Sequence, residues 1–315
     1  MYCISQVLGY NDVMGTKLRT NVDRVVMLSV QGKVSYPSGR RSHSVDANGR
    51  PYLLPGIGGI TYNVKVGDPA FGWAGDHIEP GVSCIADWEK RMDHPNTSLH
   101  FYSCVGNQVK VVTGDAHAAR GVVTGHHGGA EHVLIDFADN VLEKLQMEDK
   151  FLVKGWGQGL KLLDYPEIQV LNLDPNLLGK LGVREPGKGK IEVPVAAVVP
   201  GYLMGSGVGS TSMGTGDYDV MTTDRDEIRR LGLDRLRFGD IVAITDHDNV
   251  YGRSWRKGAI TVGVVIHSDC VVAGHGPGVT TIMSAARSLI VPRLEPHANI
   301  AEILKIGRFR RPRKK

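Results

Sequence analysis

What most constrains this chain is its rhythm: short β-branched runs broken again and again by glycine. Glycine accounts for 40 of 315 residues, nearly double the roughly 7% of ordinary proteins. It follows no fixed period, so collagen-like and solenoid architectures do not apply. Strands joined by tight turns produce this pattern. Residues 22–30, 61–67, 108–114, 131–137, 191–199, 240–245 and 259–268 read as strands. Several are almost continuously apolar, as in DIVAIT and AITVGVVIHS, which suits burial on both faces of a sandwich or barrel.

Helical signals are fewer. Apolar residues recur at helical spacing over 138–150, and 297–307 closes on a glycine. In 222–232, Asp224 is a candidate N-cap, Glu227 follows three residues later and Gly232 is a stop. The expectation is a mainly β protein of sandwich- or barrel-like domains with a few packed helices, α+β being the alternative. A β-rich domain over 1–138, a helical connector over 139–190, a second β-rich domain over 191–306 and a basic tail over 307–315 would complete it.

Hydrophobic residues at 42% and charged residues at 22% describe a globular chain rather than a disordered one. No run reaches the roughly 18–20 apolar residues of a membrane span, and the first fifteen residues lack the pattern of a secretory signal. Cys3, Cys84, Cys104 and Cys270 are widely spaced with no C-x-x-C pair, as expected of reduced thiols in a cytoplasmic protein. The net charge of +4 is a property of the tail: six basic residues lie in 307–315, and without them the remainder carries a formal −2. Such a tail can touch a polyanion through phosphate contacts, or simply stay solvated. Homo-oligomerisation is expected of so glycine-rich a β-protein.

Chemistry-bearing residues are crowded into GDAHAARGVVTGHHGGAEH, residues 114–132. Asp115 and His117 stand at i and i+2, which on an extended chain brings both to one side. Carboxylate and imidazole together suit Zn, Mn or Fe. The stretch around His126 and His127 is too glycine-rich for a regular element, and neighbours on a strand point oppositely, so one of the two at most reaches a site. His132 opens a strand and is expected on its polar face. The plain alternative is a glycine-rich hairpin with solvated histidines.

A second group follows two buried strands: Asp246-His247-Asp248, His267-Ser268-Asp269, and His275 between glycines. Polar residues just past strand ends are where scaffolds present catalytic groups, although Asx turns and strand caps explain them too. His77, after Asp76, precedes a Pro-Gly-Val that recurs after His275; if two domains present similar loops, both face one cleft. The run 204–219 contains neither a Walker lysine nor a Rossmann helix, but its amides can bind an oxyanion, and Asp217 and Asp219 form a same-face pair.

The segments VTGDAHAARGVVTGHHGGAEHVLIDF, GSGVGSTSMGTGDYDV and FGDIVAITDHDNVYGRSWRKGAITVGVVIHSD resemble a set of bacterial and archaeal proteins grouped only as a domain of unknown function. That resemblance spans most of the chain and implies β-rich N- and C-terminal parts, with no activity attached. Gly114-Asp115-Ala116-His117 with Gly121 locally resembles the acetamidase/formamidase family of metal-dependent amide hydrolases, although Val122, Val123 and Thr124 replace the acidic residues that follow there. The expectation is therefore a hydrolase of a small amide or cyclic amide. Asp115, His117 and His77 would hold a divalent metal. His267 or His247 would act as base, oriented by Asp269 or Asp246, with His275 nearby. The competitor is a non-catalytic protein binding a small anion or nucleic acid.

Overall fold

The computed structural model describes residues 18–38, 43–86 and 93–310. In the first half, β1 (Met27–Val34) is followed by a small hairpin of β2 (Ser44–Val45) and β3 (Pro51–Tyr52), then β4 (Ile60–Thr61) and β5 (Gly81–Ile85). Helix α1 (His94–Tyr102) leads to β6 (Gln108–Val111), β7 (Arg120–His127) and β8 (His132–Asp136); the short α2 (Asp139–Leu142) precedes β9 (Lys150–Trp156). The order β1-β9-β6-β7-β8-β5, with β5 pairing back onto β1, closes a six-stranded antiparallel barrel. Closure removes the unpaired edges that an open sheet would leave. Val34, Val82, Cys84, Val109, Val123 and Phe151 are among the residues filling its interior.

The second half contains β10 (Ile168–Val170), α3 (Pro175–Lys180), β11 (Arg184–Gly187), β12 (Lys190–Val195), β13 (Ala197–Val199) and β14 (Tyr218–Asp219). Then come α4 (Arg225–Arg230), β15 (Ile241–Asp248), β16 (Ser254–Val265), β17 (Gly278–Ala285), β18 (Ile290–Leu294) and α5 (Ile300–Leu304). The main sheet runs β10-β17-β16-β15-β13, with β14 also on β17, and β11-β12-β18 form a smaller one. Leu134 of β8 packs in the same apolar cluster as Val264, Ile266 and Val279, so the two halves share a core.

The mainly β expectation holds. The caps do too: Asp224 accepts from Glu227 N at 3.0 Å and Gly232 takes φ +69° to end α4. Two expectations change. The supposed connector is helical only briefly and supplies β9, a barrel strand between β1 and β6. The glycine-rich histidine segment is regular after all, because β7 runs through it. A Cβ on Gly125 would stand 2.2 Å from Ile266 Cγ2, so glycine here allows two sheets to approach. The first residues, Cys3 and tail residues 311–315 lie outside the described residues; within the tail, Arg308 pairs with Asp68 and Arg310 with Asp136. Among the described residues no helix is long and apolar enough to cross a membrane.

Candidate metal centre

Six loops and strand ends from both halves converge on one point. The loop before β5 brings Asp76, His77 and Glu79; β7 ends on His127; β8 begins with His132. From the other half, β14 and the residue before it bring Asp219 and Asp217, the end of β16 leads to His267, and the loop before β17 carries His275. Paired bonds clasp the two halves together: Ile78 N donates to Ser268 Oγ at 2.8 Å and Ser268 N donates to Ile78 O at 3.0 Å. Thr280 Oγ1 likewise accepts from His126 N at 2.9 Å and donates to His126 O at 3.0 Å.

Three imidazoles have one ring nitrogen tied outward. His127 Nδ1 lies 2.5 Å from Glu79 Oε1, His77 Nδ1 lies 3.0 Å from Asp76 Oδ1, and His267 Nδ1 lies 2.9 Å from the Ser268 carbonyl. An acceptor on Nδ1 fixes the tautomer and leaves Nε2 as a lone-pair donor, the arrangement that metal-binding histidines use. These three residues offer ligand atoms within 4.8 Å of one another. Glu79 is itself held by Gly58 N at 2.7 Å, Ser83 Oγ at 2.5 Å and the His132 ring at 3.0 Å. His77 holds a left-handed φ of +56°, strain that a packed functional site sustains.

The inner nitrogens face carboxylates. His267 Nε2 lies 3.0 Å from Asp217 Oδ2 and 3.4 Å from Asp219 Oδ1. His275 Nδ1 lies 2.8 Å from Asp219 Oδ2 and 3.1 Å from His77 Nε2. Asp217 Oδ2 and His267 Nε2, both buried, are thus an ion pair at contact distance, yet neither meets hydrogen-bond geometry with the other or with another group among the described residues. Donor atoms in contact but not aligned on one another have the geometry of neighbours around a shared ion. Ligands about 2.1 Å from one divalent ion stand roughly 3.0 Å apart at right angles and 3.4 Å apart at the tetrahedral angle. The donors therefore fit a divalent cation.

The electrostatics point the same way. Burial pulls the His77 imidazole down, but bonds to Asp219 and Asp76 outweigh it and hold it up at about 11. His267 is likewise raised by Asp217 and Asp219 against the effect of burial, while those two carboxyls are held below their usual range. Burial drives His127 down, helped by the neighbouring His267, so it is neutral. Buried carboxylates demand compensating positive charge, which imidazolium protons supply in the metal-free chain and which a cation would replace.

The centre opens on a cavity of about 990 Å³. His77, His127, Asp217, Asp219 and His275 form one wall; Ser206, Ser210, Ser212 and Thr215 bring hydroxyls from the 204–219 run. Several of that run's backbone amides are already engaged. Those of Gly205, Ser206, Val208, Gly209, Ser210 and Ser212 all donate to acceptors within the fold. Arg253 also lines the cavity, only 4% exposed, with its Nε unpartnered and its guanidinium 5.4 Å from the Tyr218 ring.

Of the residues singled out in the sequence, the structure brings His77, His267 and His275 together, with His127 as the one member of its pair that reaches the site. His126 turns the other way, to the Ser103 carbonyl at 2.5 Å. Asp115 and His117 are exposed in the turn before β7. Seven residues of β7, roughly 23 Å of extended chain, separate that turn from His127, so the local amidase-like motif is not at the centre. Asp269 does not orient His267: it accepts from Thr222 and Arg225, both at 2.5 Å. His267 is fully buried and faces the carboxylates, a ligand's position rather than a base's. Asp246 and His247 lie at the far end of β15, where Asp246 takes φ +55° at a bulge and accepts from Gly258 N at 2.6 Å. His132 does open β8, but buried and bonded to Glu79. Glu79 was missed and Asp76 was noted only as the neighbour of His77, since a lone carboxylate near a histidine has no spacing to mark it.

Residues 43–179 match the model of the DUF4438 N-terminal domain of unknown function, and residues 180–304 match that of the DUF4438 C-terminal domain. The crystal structure of TM1086 is 51% identical, with a TM-score of 0.85, over 90% of this chain and 98% of that one. No curated protein matches the chain. The two matched regions meet at residues 179 and 180, with His77 and His127 on one side and Asp217, Asp219, His267 and His275 on the other. The chain thus belongs to the DUF4438 family, and its cluster of histidines and aspartates is assembled from both of the family's domains.

Proposed function

We propose that the protein is a metal-dependent hydrolase acting on a small amide or cyclic amide. The observation carrying this reading is the buried ion pair Asp217 Oδ2 and His267 Nε2, 3.0 Å apart but without hydrogen-bond alignment, at the base of an open cavity. Zn, Mn and Fe all suit mixed imidazole and carboxylate donors. A divalent ion held there would supply a bound water of lowered pKa and polarise a carbonyl oxygen. The chain's own groups do the rest. Glu79 and Asp76 hold His127 and His77 in their donor tautomers, and the Gly128 amide, donating to Asp217 Oδ1 at 2.7 Å, fixes that carboxylate's orientation. Buried Arg253 donates from Nη2 to the Thr215 carbonyl at 2.9 Å and leaves Nε without a partner beside the cavity, and its charge suits a substrate carrying an anionic group.

Arg253 also supports the second reading, a protein that binds a small anion without chemistry. The nucleic-acid version has less behind it, because Arg308 and Arg310 are already paired with Asp68 and Asp136. The buried free thiols Cys84, Cys104 and Cys270 accord with a reducing, cytoplasmic setting. The test is to strip the full chain with a chelator, reload it with Zn²⁺, Mn²⁺ or Fe²⁺, and assay neutral and acidic linear and cyclic amides. Metal-restored hydrolysis, abolished in Asp217→Ala, is expected. A loaded protein that binds acidic amides but hydrolyses none would favour the anion-binding reading.

A further inference from the structure

The donor atoms around the cavity are too many for one ion. His77 Nε2, His127 Nε2, His267 Nε2, His275 Nδ1, Asp217 Oδ2 and both oxygens of Asp219 make a set larger than the six positions of an octahedral ion, with no place left for water. They also divide. Asp219 turns Oδ1 toward His267, at 3.4 Å, and Oδ2 toward His275, at 2.8 Å, and His77, at 3.8 Å. Asp217, Asp219 and His267 form one group with ligand atoms within 4.8 Å of one another and His77, His275 and Cys270 form another, while His77, His127 and His267 make a third that shares one histidine with each.

We infer that the site holds two divalent cations bridged by Asp219, a reading that rests on the metal-centre proposal above. The deep ion is held by Asp217, Asp219 Oδ1 and His267, with His127 in reach. The outer ion is held by Asp219 Oδ2, His77 and His275. A bridging carboxylate spaces two such ions about 3.5–4 Å apart, the separation of two-metal hydrolytic sites. The burial differs in the corresponding sense: His267 has no exposed surface, whereas the His275 side chain is 31% exposed. The deep ion is enclosed by protein, and the outer one keeps open positions toward the cavity.

Charge supports the same count. Asp76, Glu79, Asp217 and Asp219 are all buried, a local charge of −4 when ionised. One dication and Arg253 would leave −1 in a low-dielectric site. Two dications balance the carboxylates outright and leave Arg253 free for an anionic ligand.

The experiment is a titration of the chelator-stripped full chain with Zn²⁺, read by calorimetry and elemental analysis, alongside paramagnetic resonance of the Mn²⁺-loaded protein. Two Zn²⁺ per chain and an exchange-coupled Mn²⁺ spectrum are expected. His275→Ala, whose fold is checked by near-ultraviolet circular dichroism, is expected to bind one Zn²⁺ as before and the second at least 100-fold more weakly, with an isolated six-line Mn²⁺ signal. A single Zn²⁺ per chain, unchanged in His275→Ala, overturns the two-ion site while leaving a one-metal hydrolase standing if amides are still cleaved. Two bound ions with no hydrolysis keep the two-ion site and remove the proposed activity. No bound metal overturns both.

Discussion

His77 Nε2 lies 3.1 Å from His275 Nδ1 although 198 residues separate them in the chain. One belongs to a loop of the barrel and the other to the opposite half, so whatever binds between them ties the halves together. A ligand specific to the native state stabilises it by about 2.7 kcal/mol at a hundred times its dissociation constant. Chelation is therefore expected to lower the melting temperature by several degrees, and excess Zn²⁺ to restore it. A melting curve indifferent to chelator would argue against a metal at this junction.

Glu79 accepts from Gly58 and Ser83 while steering the rings of His127 and His132. Glu79→Gln puts an amide N–H among donors and releases the His127 tautomer. Outer carboxylates of this kind are worth roughly 10–100-fold in metal affinity. Calorimetric titration of the variant is expected to show a loss in that range, with donor residues intact. Unaltered affinity would mean that Glu79 only packs.

Gly278 pairs with Asp219 across β14 and β17. A Cβ there would stand 1.9 Å from Asp217 Oδ2 and 2.3 Å from His267 Nε2, so only glycine lets the strand pass beneath both. Gly278→Ala is expected to displace the pair and weaken metal binding at least tenfold. The far-ultraviolet circular dichroism spectrum should stay close to that of the parent, and wild-type affinity in a folded variant is the contrary outcome.

Buried His100 on α1 is held down at about 3, by burial first and then by neighbouring His126. The native state keeps it neutral, whereas the unfolded chain takes a proton below about 6.5. Its contribution is thus fully present above that pH and is lost as pH falls from about 6.5 toward 3, with a slope approaching 1.4 kcal/mol per pH unit. His100→Leu is expected to flatten the pH dependence of the urea midpoint between pH 7 and pH 5. A parallel offset at both pH values would exclude His100 as the source.

How much of this was legible in the sequence depends on how local each cause is. The apolar runs at 131–137, 240–245 and 259–268 announce strands because burial on both faces admits little else. β7 was hidden: Gly121 and Gly125 serve contacts with Phe137 and Ile266 that no short window contains. The i, i+2 argument succeeded for Asp217 and Asp219, where β14 is extended, so both carboxylates reach the site. It failed for Asp115 and His117 because that segment is a turn, and same-side alternation holds only for extended chain. Three of the clustered histidines could be nominated from their flanking glycines and strand ends. Their meeting could not, since it depends on how one half docks on the other.

The division of the centre between halves also has a consequence in time. Chains emerge from the ribosome N-terminus first, at about 5–20 residues per second, so the 198-residue interval between His77 and His275 amounts to roughly 10–40 s. Between the end of β9 at Trp156 and the arrival of Asp217, the barrel has His77 and His127 without Asp217, Asp219 or His267, an incomplete set of donors. The cluster is therefore complete only at the end of synthesis, so on the metal-centre proposal the choice of ion falls to the finished chain rather than the nascent one.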